Sequence, residues 1–364
     1  MRQVAPTSKI VFDGNLSVMT SGKASRGGRK RHVSMGDVAR HAGVSSQTVS
    51  RVSNGYPGVI PETRELVLKA MDELGYRPNS AARALKLGSF HTIGVITFSL
   101  EAVGNHRTIQ AISVAAAKAG YAVTLIPVDL PTQSGVEHAF GRLEELAVDA
   151  VAVIVEVHLL DRAKVVLPRG VPTVVVDSDA GDEYTVVDTD QADGARQATR
   201  HLIELGHTNI RHLAGPESSF AAQRRVDGWR ESLSEAGLEA KEVMRGDWSA
   251  ASGYEAGSIL LADPDCTAVF CANDQMALGL YRAAAEAGRR IPEDLSVVGF
   301  DDSADAPAYS PPLTTIHQDF AEVGRRSVAA ILEQLRTREQ KPGTSIVPTR
   351  FIQRASTAPP AVSS

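Results

Sequence analysis

Ser46, Gln47, Ser50 and Arg51 fall on one side of a short stretch in which Val44, Val49 and Val52 take the other. Residues three and four apart share a face of an α-helix, so the spacing predicts a helix with one apolar and one polar side. Two hydroxyls and an amide, ending in a guanidinium, suit the base edges of the DNA major groove, with the arginine directed at a guanine or a phosphate. The same pattern also describes an ordinary helical hairpin with a solvated outer face. A second set is more widely spaced: Arg225, Trp248, Asn273 and Asp301 each come shortly after a short apolar run or a loop. An indole can stack on the apolar face of a sugar while Arg, Asn and Asp bond its hydroxyls. A few fixed polar groups on an apolar wall are what a small-molecule pocket needs. Each has a plainer reading: Arg225 pairs with Asp227 or Glu231 on its own helix, Trp248 fills a core, and Asp301 and Asp302 close a loop. Asp301, Asp302 and Asp305 are an acidic cluster with no matching histidine set, so no metal is expected.

These residues need elements to position them. Met35, Val38, Ala39 and Ala42 keep helical spacing, Gly43 allows a sharp turn, and Ser45 can cap the helix that carries the polar face. Together they read as helix, turn, helix. A third helix begins at Pro61, buries Val67, Ala70, Met71 and Leu74, and ends at Gly75. After Pro78, Asn79 can cap a short helical segment that is too short to be stable alone in water. It is either a linker that folds when something packs on it or a fixed interdomain helix. From Thr92 onward, apolar runs at 93–96, 122–126, 150–155, 173–176, 210–213, 268–270 and 296–298 alternate with amphipathic helices near 106–119, 134–147, 190–205, 221–236, 251–262 and 274–287. That is the α/β signature of parallel sheets covered on both faces, and its length suits two lobes. In such lobes ligands bind beyond the carboxyl ends of the strands, which is where Arg225, Trp248, Asn273 and Asp301 fall.

A chain of 364 residues with 43% hydrophobic and 22% charged residues is expected to form two or three globular domains. The net charge of −5 hides an asymmetry: residues 1–90 hold 14 Lys/Arg against 6 Asp/Glu, and the remainder 24 against 37. A basic head on an acidic body implies that the head alone meets a polyanion. Residues 1–32 lack periodicity and read as a disordered basic arm or a solvated tail. Cys266 and Cys271 flank an apolar run and read as buried thiols. No run is long enough to span a bilayer and no apolar signal core opens the chain, so the cytoplasm, with no membrane partner, is the expected location. No glycine-rich phosphate fingerprint, P-loop, zinc-protease motif or nucleophile elbow follows a strand, which removes the support for an α/β enzyme. A sugar-binding protein without DNA function is a further alternative, opposed by the basic head.

The motifs Asp37-Val38-Ala39, Ala42-Gly43-Val44-Ser45, Gln47-Thr48-Val49-Ser50-Arg51-Val52 and Glu73-Leu74-Gly75-Tyr76-Arg77-Pro78-Asn79 resemble the head of the lac repressor (LacI/GalR) family of bacterial transcription regulators. In the body, Gly246-Asp247-Trp248-Ser249, Ala272-Asn273-Asp274-Gln275-Met276-Ala277 and Pro311-Pro312-Leu313-Thr314-Thr315-Ile316 look closest to its lac-type members. The resemblance implies a helix-turn-helix head and a two-lobed, periplasmic-binding-protein-like (type I) body. The domains are then an arm at 1–32, the DNA-binding domain at 33–78, a hinge helix and linker at 79–90, the effector-binding and dimerisation domain at 91–354, and a flexible tail at 355–364. It implies a homodimer reading a pseudopalindromic double-stranded operator, with base contacts from Ser46, Gln47 and Arg51, flanking contacts from Ser50 and Asn54, and a hinge in which Ala82 lets paired helices approach. There Leu85 wedges into the minor groove beside Lys86. Ser46 departs from the tyrosine of lac-type members, and Ile60 from the usual serine cap of the third helix. For the effector, a galactoside or other β-linked sugar acting as inducer, or alternatively a corepressor, the resemblance adds Phe98, Gln318 and Phe320 to Arg225, Trp248, Asn273 and Asp301. It places Gly104 and Asn105 in a closing loop and Ala221 and Leu160 where lac-type members are polar. No cofactor is implied. No heptad repeat follows Arg354, which favours a dimer over a tetramer.

Overall fold

The computed structural model describes residues 33–77, 88–97, 100, 102–128, 133–154, 170–178 and 183–361. The chain divides into two compact units, one up to Ser80 and one from Ala81.

The first unit holds helices Met35–His41, Ser46–Ser53 and Pro61–Glu73. Ser34 and Asp37 form a reciprocal capping box at the first, the Asp37 carboxylate accepting the Ser34 amide at 2.9 Å. Ser45 caps the second by accepting the Thr48 amide at 3.1 Å. Between them Gly43 takes a φ of +65°, the left-handed conformation that glycine adopts without steric cost. Val38, Val49 and Val67, one from each helix, are fully buried against each other, with Ala39, Val52, Ala70 and Met71 around them. Each buried valine stabilises the unit by roughly 1.5–3 kcal/mol. Ile60 stands at the third N-cap, makes no side-chain cap bond and is exposed; Pro61 alone starts that helix. A 2.7 Å hydrogen bond from the His41 ring to Glu73 ties the first helix to the third.

The second unit has two lobes. Its first sheet has six parallel strands in the order Gly343–Val347, Thr185–Thr189, Thr173–Val176, Ala150–Ile154, Thr92–Thr97, Ala122–Pro127. Strand residues alternate between faces: Val151 and Val153 pack with Phe140 and Leu143 on one side, and Ala150, Ala152 and Ile154 with Ile112, Val328 and Ile331 on the other. Gly94 has no side chain because Leu143 occupies the space, only 2.7 Å from where a Cβ would stand. The second sheet is also parallel, ordered Met244–Arg245, Ile210–Ala214, Ala268–Cys271, Ser296–Val298. Helices Gln191–Glu204, Phe220–Glu235, Ala250–Leu260 and Asp274–Glu286 cover it, and Trp229, Phe270 and Phe300 are fully buried beneath them.

Among the described residues the chain passes between lobes three times. It leaves strand Thr185–Thr189 for helix Gln191–Glu204, returns from strand Thr315–His317 to helix Phe320–Thr337, and crosses again from Gly343–Val347 to Arg350–Ile352, which pairs antiparallel with Thr315–His317. Helix Phe320–Thr337 therefore belongs to the first lobe, against helix Val103–Lys118, where a Cβ on Gly324 would lie 2.5 Å from the Ala111 backbone.

The end of the chain corrects the expectation of a flexible tail at 355–364. Ser356 is fully buried; its hydroxyl bonds the Val297 carbonyl at 2.6 Å and the Thr314 amide at 2.8 Å, and its carbonyl takes the Val297 amide at 2.8 Å. The small polar sequence carries no periodicity, but its backbone completes the bonding of strand Ser296–Val298. Residues 362–364 lie outside the described residues. Among the described residues no helix is long and apolar enough to cross a membrane.

Candidate functional site

In the first unit, helix Ser46–Ser53 presents Ser46, Gln47 and Arg51 to solvent, while Ser50 is half-buried. Asn54 ends the helix and turns its side-chain amide back to the Ser50 hydroxyl at 3.3 Å. The Arg51 guanidinium lies 5.5 Å from the centre of the Tyr56 ring, and Arg64 donates to the Tyr56 carbonyl. Tyr56 thus steadies Arg51. Sequence reasoning passed it over, since it lies beyond the helix and outside any periodic pattern. Ala82, Leu85 and Lys86, with residues 79–87 generally, lie outside the described residues, as do residues 1–32.

In the second unit Arg225, Trp248, Asn273, Asp301, Gln318 and Phe320 line one cavity of about 610 Å³ of atom-free space, part of it open to solvent. Gly104, Asn105 and Ala221 also border it. Phe98 and Leu160 lie outside the described residues. Four of the residues close a polar ring. Arg225 Nε donates to Gln191 Oε1 at 2.9 Å, Gln191 Nε2 to Gln318 Oε1 at 3.2 Å, and Gln318 Nε2 to Asp301 Oδ1 at 2.6 Å, which lies 3.9 Å from Arg225 Nη2. Arg225 also donates to the Ala272 carbonyl, and its plane stacks 3.8 Å from the Phe300 ring centre. Its suggested helix partners are engaged elsewhere: Glu231 with Arg196 at 3.0 Å and Asp227 with Gln223 at 2.9 Å. Gln191 and Gln318 sit where the chain crosses between lobes, so the ring lies beside two of the crossings.

Trp248 follows the edge strand Met244–Arg245 with a φ of +76°, and its ring lies so close on Gly215 that a Cβ there would meet it at 2.4 Å. It is half-buried and borders the cavity, so it is more than core filling. Asn273 caps helix Asp274–Glu286 by accepting the Met276 amide at 2.8 Å and donates to the Trp248 carbonyl at 2.9 Å, fixing the indole loop to the helix start. Asp301 has a φ of +109°, held by its amide on the Ile316 carbonyl at 2.8 Å and by Arg107 on its own carbonyl at 3.1 Å. Arg107 meanwhile lies 4.7 Å over the Phe320 ring.

Burial raises the Asp301 carboxyl, and Arg225 opposes that rise. Burial lowers Arg225, while Asp301 and then Asp177 hold it up. His212, flat on Phe270 at 4.6 Å, is pushed down by burial to about 3 and so is neutral beside this charge. The acidic cluster separates: Asp302 pairs with Arg354 at 2.6 Å and His317 at 2.9 Å, and Asp305 precedes a short 3-10 turn. Among the described residues no group of three His, Cys, Asp or Glu could hold a metal.

Sequence reasoning missed Gln191, Ser219, Thr189 and Asp177 in the cavity wall. Asp177 was within reach, since it directly follows the carboxyl end of strand Thr173–Val176. Asp188 stands beside it in strand Thr185–Thr189, buried and pushed up to about 8 by burial and then by Asp177.

Residues 34–79 match the profile of bacterial regulatory proteins of the lacI family, and residues 199–357 that of the periplasmic binding protein-like domain. The lactose operon repressor of Escherichia coli K12 is 37% identical over 333 residues, covering 90% of this chain and 91% of its own length. A crystal structure of the lac repressor dimer bound to operator and the anti-inducer ONPF matches with a TM-score of 0.81 at 35% identity, covering 90% of this chain and all of that one. A complex of the transcriptional regulator CelR with cellobiose matches with a TM-score of 0.65 at 32% identity, covering 89% of this chain and 99% of that one. A capped helix-turn-helix head, two parallel-sheet lobes around a polar cavity, and these likenesses agree: the chain belongs to the lacI family, as a DNA-binding transcriptional repressor controlled by a small-molecule ligand and not an enzyme.

Proposed function

We propose that the chain is a cytoplasmic homodimer that binds a pseudopalindromic operator and is released from it by a small sugar, a galactoside or another β-linked sugar. The observation that carries the sugar reading is the ring of Arg225, Gln191, Gln318 and Asp301 beside the half-buried Trp248 indole. An aromatic plane next to fixed, directional polar groups favours a ring-shaped ligand with hydroxyls at its edge. The likeness to a cellobiose-bound regulator and to the lactose operon repressor supports the same class. In this reading Arg225, Trp248, Asn273, Asp301, Gln318 and Phe320 contact the effector, and Phe98 is proposed as a further contact. Gln47 and Arg51 choose the operator, with Ser46, Ser50 and Asn54 beside them, and Ala82, Leu85 and Lys86 act at its centre.

Control follows from the lobe crossings. Gln191 and Gln318 hold the ring together where the chain changes lobes, so a ligand bonded there prefers one lobe orientation. It can shift the operator-binding equilibrium only by its difference in affinity for the two orientations. The test is a gel-shift titration on genomic fragments selected by the protein itself, with lactose, cellobiose, galactose and glucose added in turn. Release by one of the β-linked sugars is expected, and affinity without sugar should fall steeply with salt. Tightening by a sugar would replace induction with corepression; no response to any of them would overturn the sugar reading.

A further inference from the structure

Strands Thr173–Val176 and Thr185–Thr189 run parallel with Val176 opposite Val187. The next pair along the register is Asp177 and Asp188, and the Asp177 amide still bonds the Val187 carbonyl at 3.3 Å. Two carboxyls therefore stand side by side behind the cavity wall, within hydrogen-bonding reach of each other. The Asp188 side chain is 0% exposed, and Asp177 borders the cavity. Among the described residues, Asp177 Oδ1 and both Asp188 oxygens are buried with no hydrogen-bond donor. As ionised groups both are acceptors only, so neither can satisfy the other, and each orphaned oxygen is costly.

The surroundings decide the charge state. Helix Phe220–Glu235 supplies Arg224, 3.6 Å from Asp188 Oδ2 and also stacked on Phe220, and Arg225, which faces Asp177. Gln191 and the Thr189 backbone face the pair from the neighbouring segment, and Asp301 faces it from the other lobe. Arg107 also acts on Asp301, and Asp274 on Arg225. Three arginines thus meet four carboxylates, and one proton on the pair brings the group to neutrality. The same proton supplies the missing donor between the two carboxyls.

We propose that Asp177 and Asp188 hold one proton between them and thereby make the cleft selective for neutral, hydroxyl-donating ligands over phosphorylated or carboxylated ones. Among the described lining residues Arg225 is the sole cation, and its donors are taken by Gln191, Ala272 and Asp301. A ligand anion would find no cation to spare and would push against Asp177 and Asp301. A sugar hydroxyl, in contrast, can donate to the Asp177 carboxyl without adding charge. This inference rests on the reading of the cleft as a sugar effector site.

Two measurements on the full chain separate the inference from that reading. Infrared difference spectra between pH 6 and pH 10, without ligand, read the protonated-carboxyl band. A component with its midpoint near 8 is expected, absent in Asp188→Asn and retained in Asp274→Asn; the wild-type titration stands even if a variant folds poorly. Absence of that component overturns the shared proton. Trp fluorescence titrations then use lactose, cellobiose, galactose 6-phosphate and glucose 6-phosphate. Neutral sugars are expected to bind at least tenfold more tightly than the phosphates. Their affinity should fall about tenfold between pH 7 and pH 9, a dependence lost in Asp188→Asn. Tighter binding of a phosphorylated sugar overturns the selectivity. If the infrared component is present and no sugar binds, the sugar reading fails and the shared proton survives it.

Discussion

The two proposed recognition sites use arginine in opposite ways. Arg51 is exposed and steadied by a single ring, Tyr56. Arg225 is buried, bonded on several sides and stacked on Phe300. A surface that meets a hydrated polyanion can leave its guanidinium in water until the partner arrives, because counterion release drives association. A cavity for a small neutral ligand has no such reserve. Its groups are held in place beforehand, so that little ordering is left for the moment of binding. The difference teaches that a substitution at the first arginine removes a contact with a partner, while one at the second dismantles the protein's own wiring.

That contrast can be broken, starting with the largest effect. Arg225→Ala leaves Asp301 buried without its cation and the Ala272 carbonyl without its donor, so unfolding in denaturant should show a loss of about 3–5 kcal/mol. A loss below about 1 kcal/mol would mean that the ring is held by something else. Arg51→Ala should leave unfolding unchanged and cost about 1–3 kcal/mol of base discrimination in competition gel shifts. Equal weakening on all sequences would make it a phosphate contact. Ser45→Ala removes the cap of the helix that carries Arg51, and hydrogen exchange in residues 46–53 should report about 1 kcal/mol less protection there, with the lobes unaffected. The smallest effect concerns pH. The His41 hydrogen bond holds the exposed Glu73 carboxyl below its ordinary value. A depressed carboxyl stabilises the folded state above its unfolded value and loses that contribution as pH falls through the folded one. The melting temperature of the first unit should therefore exceed that of His41→Ala at pH 5.5, and the gap should close on acidification toward pH 3.

The same contrast explains what could be read from the residues alone. The first unit is local: the apolar spacing of Val38, Val49 and Val67, the Ser45 cap and Pro61 each act within a few residues, and each was legible. Ser34 and Asp37 have the spacing of a capping box and could have been read the same way. In the lobes, strand positions stood out as continuous apolar runs because both sheet faces are covered. Strand Thr185–Thr189 did not, since Asp188 interrupts it, and Gly343–Val347 is a largely exposed edge strand with only Val347 buried. Arg225, Trp248, Asn273 and Asp301 were within reach because all follow strand ends or the loops after them. Gln191 was not, because its role depends on Gln318, 127 residues away in sequence. The Phe320–Thr337 helix carries a clear apolar stripe. Its membership of the first lobe is set by the crossings, which no local pattern encodes.

Those crossings bear on how the chain is made. A protein leaving the ribosome folds from its N-terminal end as complete units become available. The first lobe begins at Thr92, yet its last helix and edge strand are Phe320–Thr337 and Gly343–Val347. Most of the second lobe is synthesised in between. The first lobe therefore waits, with the apolar face that Val323, Val328 and Ile331 will cover still bare, until nearly the whole body has emerged. During synthesis the lobe that starts first stays open while most of the second is made, and the second is itself completed only by Arg350–Ile352 and Ser356, which follow.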